Sequence, residues 1–341
     1  MLEEGAPVRL LTSIPPPTKG LPRNDRFAHV EAALRSFSAN GFANLSVNRE
    51  DEIEHLAPLF PEVRFVVDDP TDEIFPGRYG PSLGSILRAL GPPAACAIVN
   101  ADNYMLKGEI LRRMNECPQT TFVARRLDVD VARSTTAGVY ERGIDGVFLS
   151  RDHCEPIALD RTLTRLQLGA PFWDIVFPIA ASFHGKVQFI APPFLLHPLH
   201  EANWSHADYD QLRLFSIGAL ANHAKKYSEV SPWAALFDRL MSEFVYSKRQ
   251  KLGRRSLRTA MSIFDLWLKK IEARNTITLS TTEGVGKNGQ MRFSFDSATH
   301  ISLPSSTPRS NAYGFIRNWK TRRRERSTST IQELIDSLYE S

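Results

Sequence analysis

The chain has few cysteines and no long apolar run. Cys96, Cys117 and Cys154 are too scattered for a disulfide framework or a zinc knuckle, and read as free thiols of a reducing compartment. The longest apolar stretches are broken by Asp174, His184 and Pro192-Pro193 before reaching the roughly 18 residues of a membrane-spanning helix. The opening Met1-Leu2-Glu3-Glu4 is acidic, so no signal peptide is expected. Internal repeats are also missing. The 42% hydrophobic and 23% charged residues are those of an ordinary globular protein, and 341 residues suffice for one large domain and a smaller one.

The net charge of +4 hides a division. Residues 1–245 carry 24 Lys/Arg against 30 Asp/Glu, whereas residues 246–341 carry 18 against 8. A basic tail on a mildly acidic body implies an anionic partner. Arg254 to Ile271 has helical spacing, with Leu257, Met261, Phe264, Leu268 and Ile271 near one face and Trp267 beside them. Arg255, Arg258, Lys269 and Lys270 lie elsewhere. Such a helix either lies in an anionic membrane interface or packs on the domain with a solvated basic side. A second basic run spans Arg317 to Arg326. The expectation is a cytoplasmic protein, peripheral at the inner face of the membrane. Phe315 and Trp319 close to arginines raise nucleic acid as a rival partner. No binding motif for it accompanies them, and none is expected.

Short apolar runs alternate with helical patterns over residues 8–205. Val8–Ile14, stopped by Pro15-Pro16-Pro17, reads as a strand, followed by Phe42–Val47, Val63–Val67 and the almost wholly apolar Ala94–Val99. Helical spacing covers Phe27–Ala39, Glu50–Phe60 and Pro81–Leu90. This alternation predicts an α/β fold with a doubly wound, mostly parallel sheet, whose ligands bind beyond the carboxyl ends of the strands. Further strands are expected at Thr120–Val123, Gly146–Leu149 and Val187–Ile190, and helices at Trp173–Phe183, Asp208–Ala224 and Trp233–Ile271. The expected organisation is a body over 1–205, a helical extension over 206–275, and a Ser/Thr-rich, basic, partly disordered tail over 276–341.

Polar residues just after the strands are the candidates for chemistry. Leu11-Thr12-Ser13-Ile14-Pro15-Pro16, Leu45-Ser46-Val47-Asn48 and Asp68-Asp69 end the first three strands, and Asn100-Ala101-Asp102-Asn103 ends the fourth. A carboxylate there is costly to bury unless it faces a cleft, a metal or a donor. Ile98-Val99-Asn100-Ala101-Asp102 resembles the DxD-type element of GT-A glycosyltransferases. Asn100 replaces the first Asp, leaving Asp102 as the stronger ligand. Arg142-Gly143-Ile144-Asp145-Gly146-Val147-Phe148-Leu149-Ser150-Arg151 resembles a GxDxFxF segment of a poorly characterised group of nucleotide-diphospho-sugar transferase-like proteins. Leu168-Gly169-Ala170-Pro171-Phe172-Trp173-Asp174 resembles that group's GRPGWDNW element, with Ala170 in place of Arg. His197-Pro198-Leu199-His200, with Trp204-Ser205-His206, resembles its HQNHDYSH element but is longer by two residues.

The resemblance spans residues 8–206 and implies a GT-A-like, nucleotide-sugar-binding catalytic domain. The activity it implies is inverting, metal-assisted hexosyl transfer from a nucleoside diphosphate sugar to a glycan or lipid-linked acceptor. A hard cation, Mn or Mg, neutralises a leaving diphosphate, and Asp102 with His197 or His200 would hold it. Thr12, Ser13, Ile14 and Pro15 would line the nucleotide pocket, with Asn48 supporting it. Asp68 and Asp69 would contact base or ribose, and Asn100, Ala101 and Asp102 the diphosphate, with Arg125 and Arg126 as further contributors. Asp174 would be the general base and Trp173 an acceptor platform, with Asp145 the competing base. Bland alternatives stand beside these. Asp174 reads equally as a helix cap, and His197 and His200 as structural histidines. No third His or cysteine pair at suitable spacing speaks for zinc. Arg126-Leu127-Asp128-Val129-Asp130 reads as a solvated, salt-bridged strand. A nucleotide- or sugar-binding protein without catalysis remains the alternative function.

Overall fold

The computed structural model describes residues 8–16, 25–69, 73–75, 80–92, 94–130, 135–198, 205–245, 254–278, 291–294 and 300–303. Four parallel strands form one half of the main sheet: β1 (Arg9–Thr12), β2 (Ala43–Asn48), β3 (Arg64–Val67) and β4 (Cys96–Val99). The remaining strands are β5 (Tyr104–Met105), β6 (Thr120–Asp130), β7 (Thr135–Leu149), β8 (Lys186–Pro198) and β9 (Thr276–Thr278). Their order is β3-β2-β1-β4-β7-β6-β8-β5, with β9 on β8. β7 runs antiparallel to β4 and β6, and β5 antiparallel to β8. The fold is therefore α/β with a doubly wound, mostly parallel sheet. A separate antiparallel pair joins β10 (Met291–Ser294) to β11 (His300–Leu303).

Period-two alternation explains the two faces. Leu11, Leu45, Val47, Ile98 and Val147 bury on one side of the sheet, and Leu10, Ala97, Val99, Phe122 and Phe148 on the other. The second side is covered by α1 (Asp25–Ala39), α2 (Glu50–Leu56) and α4 (Ile110–Glu116), through Leu34, Phe37, Leu56, Ile110 and Met114. The first carries α3 (Leu83–Arg88), α5 (Arg151–Ala158), α6 (Trp173–Ser182), α7 (His206–Tyr227), α8 (Pro232–Leu240) and α9 (Arg254–Arg274). Ser82, Ser150, Ser205 and Ser231 each accept a backbone N–H at the start of a helix.

Three strand and helix expectations need correction. β6 does not stop at Val123 but continues to Asp130, past register shifts at Ala124/Arg125 and Arg125/Leu127. β8 does not end before Pro192-Pro193 either. Its register with β6 jumps from Ala124↔Ile190 to Arg126↔Leu195, and the prolines, which lack a ladder donor, sit in that irregularity. The stretch Trp233–Ile271 is not one helix, because α8 passes into a π turn over Met241–Val245.

The described helices between His206 and Arg274 form a layer of the common core. Leu257, Phe264, Trp267, Leu268 and Ile271 of α9 are buried in the same cluster as Leu11 and Ile98. The indole N–H of Trp267 donates to Ser182 Oγ at 3.0 Å. The apolar stripe of α9 is thus spent inside the fold, while Arg258 and Lys269 face solvent. Among the described residues no helix is long and apolar enough to cross a membrane. The basic run 317–326 lies outside the described residues.

Candidate active site

The strand order reverses between β1 and β4, and a crevice outside the carboxyl ends of strands is where such sheets bind ligands. On the β1 side, four hydrogen bonds shape the turn. The Ile14 N–H donates to Ser46 Oγ at 3.0 Å, and the Ser46 hydroxyl donates to Asn48 Oδ1 at 2.6 Å. Asn48 Nδ2 donates to the Ile14 carbonyl at 2.8 Å and to Glu52 at 3.0 Å. Asn48 and Ser46 thereby brace the Thr12-Ser13-Ile14-Pro15 turn. Thr12 Oγ1 and Asp68 Oδ1 are buried at strand ends with no hydrogen-bond partner among the described residues. Asp69 points elsewhere, exposed and 3.9 Å from Arg88.

On the β4 side a chain of charges forms. Residues level with the end of β4 are Gly146 in β7, Ala124 in β6 and Ile190 in β8, so the onward segments of β6 and β8 run past it. Asp102 Oδ2, in the turn after β4, is 3.6 Å from His197 Nε2. His197 Nδ1 is 3.4 Å from Asp128, Asp128 is 2.9 Å from Arg126 Nε, and Arg126 donates to Asp145 at 2.8 Å. Asn103 Nδ2 also donates to Asp145, at 3.3 Å, while its own buried Oδ1 has no hydrogen-bond partner among the described residues. Asp174 opens α6 beside Asp145 and Arg126, accepting from the Ile144 backbone N–H. The carboxylates of Asp102, Asp128, Asp145 and Asp174 outnumber the cations of Arg126 and His197.

Two side chains there titrate far from their usual range. Burial opposes charge on His197, but the carboxylates of Asp102 and Asp128 overcome it and raise its pKa to about 9. Burial, then the Asp145 carboxylate, pushes Asp174 up to about 7, against the pull of Arg126. A helix N-terminus favours an ionised carboxylate, but at Asp174 desolvation outweighs it. The approach to α6 is strained: Phe172 has φ 81°, the one positive φ at a non-glycine among the described residues, and its ring packs on Tyr209 with centroids 4.7 Å apart.

The expected site residues thus divide. Asp102, His197, Arg126, Asp145 and Asp174 come together, with Asn100 and the buried Ala101 in the turn beside them. Arg125 does not join them; it forms a two-point pair with Glu272 of α9, both contacts 2.8 Å, and lies over the Phe189 ring. The expected acceptor platform needs correction too, because Trp173 is 2% exposed and its ring is core. His200 and Trp204 lie outside the described residues. Asp128 and Asn103 were missed. The strand 126–130 is salt-bridged as read, yet Asp128 is buried rather than solvated.

Among the described residues no three His, Cys, Asp or Glu side chains converge as a closed metal site. Asp102 and His197 fit the open kind, in which a hard cation takes one or two protein ligands and completes its shell with phosphate oxygens. Ligands at about 2.1 Å around an octahedral ion lie about 3.0 Å apart, so the 3.6 Å gap needs little adjustment. Asp128 at the far ring nitrogen is the carboxylate that orients a ligating imidazole.

No family model matches the chain, and no curated protein matches it in sequence. Solved structures give distant likenesses. A putative glucose-1-phosphate thymidylyltransferase from Bacillus anthracis, in complex with a sucrose, is 12% identical, with 62% of this chain and 95% of that one covered and a TM-score of 0.34. HddC from Yersinia pseudotuberculosis is 10% identical over 60% of this chain and 97% of its own, with a TM-score of 0.30. The same protein complexed with GMP-PN is 12% identical over the same shares, with a TM-score of 0.26. At this level of overlap they assign no role to any residue.

Proposed function

We propose that the chain is a glycosyltransferase that moves a hexosyl group from a nucleoside diphosphate sugar to a hydroxyl of a glycan or lipid-linked acceptor, with inversion. The carrying observation is the convergence of Asp102, His197, Arg126, Asp145 and Asp174 beside the β1/β4 reversal. The chain of contacts from Asp102 to Asp145 puts the candidate ligand at one end and Asp174 near the other. Inversion needs that separation: the acceptor oxygen attacks the anomeric carbon opposite the departing diphosphate, and its proton passes to Asp174. A carboxylate titrating at about 7 suits a general base at neutral pH. Asp102 would hold Mn or Mg, with His197 joining it only on giving up its Nε2 proton, and the ion would supply charge neutralisation for the diphosphate. Thr12 and Asp68 offer buried polar atoms to the nucleoside. Asn48 acts through the turn it braces.

Thermal-shift screening of UDP, GDP, CMP and dTDP sugars, with and without Mn²⁺, tests the reading, because a ligand of the native state raises its stability. One donor is expected to stabilise in a Mn²⁺-dependent manner, and Asp102→Ala to abolish that dependence with the fold intact. Unchanged metal-dependent affinity in Asp102→Ala removes Asp102 from the site. Donor binding without turnover on any acceptor leaves the non-catalytic alternative.

A further inference from the structure

At the other end of β8, two imidazoles meet nitrogen to nitrogen. His184 lies between α6 and β8, and His223 lies in α7; their Nε2 atoms are 2.9 Å apart. His223 Nδ1 is 2.7 Å from Asp160 Oδ2. Asp160 is itself fixed, its other oxygen accepting from the Thr162 and Leu163 N–H groups at 2.9 and 3.0 Å. The Tyr227 ring packs at 4.5 Å from His184 and 4.9 Å from His223. His223 is fully buried, whereas His184 is half-buried and precedes the exposed Gly185 and Lys186. The pair therefore joins a rigid, enclosed nitrogen to one that solvent can reach.

We propose that His184 and His223 bind a borderline divalent transition ion of the Zn²⁺, Ni²⁺ or Cu²⁺ class through their two Nε2 atoms, with Asp160 orienting His223. Burial opposes charge on Asp160, but His223 and the Leu163 and Thr162 N–H groups hold it below its ordinary range. An ionised Asp160 requires the His223 N–H at Nδ1, which leaves a lone pair on Nε2. Without an ion, the 2.9 Å contact is a bond from the His184 Nε2–H. As a ligand, the His184 ring must be neutral, with one ring nitrogen free of its proton. When the ion enters, His184 shifts its single proton from Nε2 to Nδ1. No net proton is released and nothing is oxidised.

The spacing sets how far the pair must move to take an ion. With metal–nitrogen bonds of about 2.0–2.1 Å, two nitrogens at a right angle lie about 2.9 Å apart, and at a tetrahedral angle about 3.4 Å. The observed 2.9 Å is a hydrogen-bond distance, and ring centroids 5.1 Å apart set the two nitrogens nearly head to head, so both rings must tilt before Cu(II) or Ni(II) can sit at a right angle between them. Zn(II) needs the pair to open by about half an ångström. The Asp160–His223 contact is the carboxylate–histidine arrangement that fixes a ligand's tautomer. No third His, Cys, Asp or Glu completes the set among the described residues, so water takes the other positions. Hard, oxygen-seeking Mn²⁺ or Mg²⁺ would stay with Asp102.

The test is calorimetric titration of the tag-free, chelator-stripped full chain with Zn²⁺, Ni²⁺ and Cu²⁺, alongside His184→Gln and Asp102→Ala. One ion per chain is expected, with affinity falling on the order of tenfold or more in His184→Gln and unchanged in Asp102→Ala. Electron paramagnetic resonance of the Cu²⁺ form should show two coordinated nitrogens. A melting temperature of apo His184→Gln close to wild type establishes that the variant is folded; a folding failure there moves the comparison to His184→Asn. Equal affinity in the folded His184 variant, loss only in Asp102→Ala, or no binding of any of the three ions overturns the proposal and leaves a hydrogen-bond chain only.

Discussion

His184 precedes β8 and His197 lies at its far end, one half-buried and the other buried, yet their imidazoles are driven in opposite directions. Burial disfavours the cation at both. Around His197 stand Asp102 and Asp128, and the imidazolium survives to about pH 9. Around His184 stand His223, His153 and Lys226, and its ring stays neutral down to about pH 3. One fold thus makes two environments from the same residue type. The carboxyl end of the sheet gathers ions with a surplus of negative charge, suited to a hard cation and an anionic donor. The amino end gathers neutral nitrogen, suited to a softer ion.

The most severe way to break this contrast is to remove the cation at the centre of the carboxyl-end chain. Arg126 is paired with both Asp128 and Asp145, and its side chain is 20% exposed. Arg126→Met would leave two buried carboxylates without it, beside Asp174. Breaking a buried pair from one side costs about 3–5 kcal/mol, and the partial exposure favours the lower end. The urea midpoint should fall accordingly; a midpoint equal to wild type would show that the chain of contacts contributes little.

Next in size is the proton acceptor. Asp174→Asn keeps shape and donor binding but cannot take a proton, so turnover should drop about a hundredfold or more. In the wild type, turnover should rise with pH through about 7, as the carboxyl ionises. Near-normal turnover in Asp174→Asn, or a product that retains the donor's anomeric configuration, removes Asp174 and turns attention to Asp145.

Legibility in the sequence followed the local physics. Apolar strands closed by turn residues announced the parallel half of the sheet, in which Asp102 follows the end of β4 and Thr12 is the last residue of β1. Asp128 was misjudged because an Arg-x-Asp-x-Asp run looks solvated; only the continuation of β6 beyond its bulge carries it into a buried chain. Arg125 and Arg126 are neighbours in sequence, yet one pairs with Glu272 and the other with Asp145. Trp173 looked like a platform beside Asp174, but every described residue from Ile175 to Phe183 is buried as well, and the ring follows that face inward. Asp160, just after α5, His184, just after α6, and His223 of α7 are drawn together, and no spacing rule joins residues so far apart.

The mildest prediction uses pH to separate the two ends. His197 has a folded pKa raised from 6.5 to about 9, so its contribution to stability is complete below about 6.5 and is lost as pH rises toward 9. That alkaline loss should be on the order of 2 kcal/mol, and His197→Gln should flatten it. His184 has a folded pKa lowered to about 3, and His153 one lowered to about 4, so the unfolded chain binds more protons in acid. Stability is then complete above about 6.5 and declines as pH falls toward those values. His153 shares this limb, and Asp174, whose raised pKa favours the folded state as pH falls below about 7, opposes it; His184→Gln should therefore raise the midpoint at pH 5 relative to that at pH 7, compared with wild type, while leaving the alkaline limb untouched. Urea midpoints of the chelator-treated proteins at about pH 5, 7 and 9 measure both limbs. A His184→Gln variant with an unchanged acid limb, or one whose alkaline limb moves instead, would dissolve the distinction between the two ends of β8.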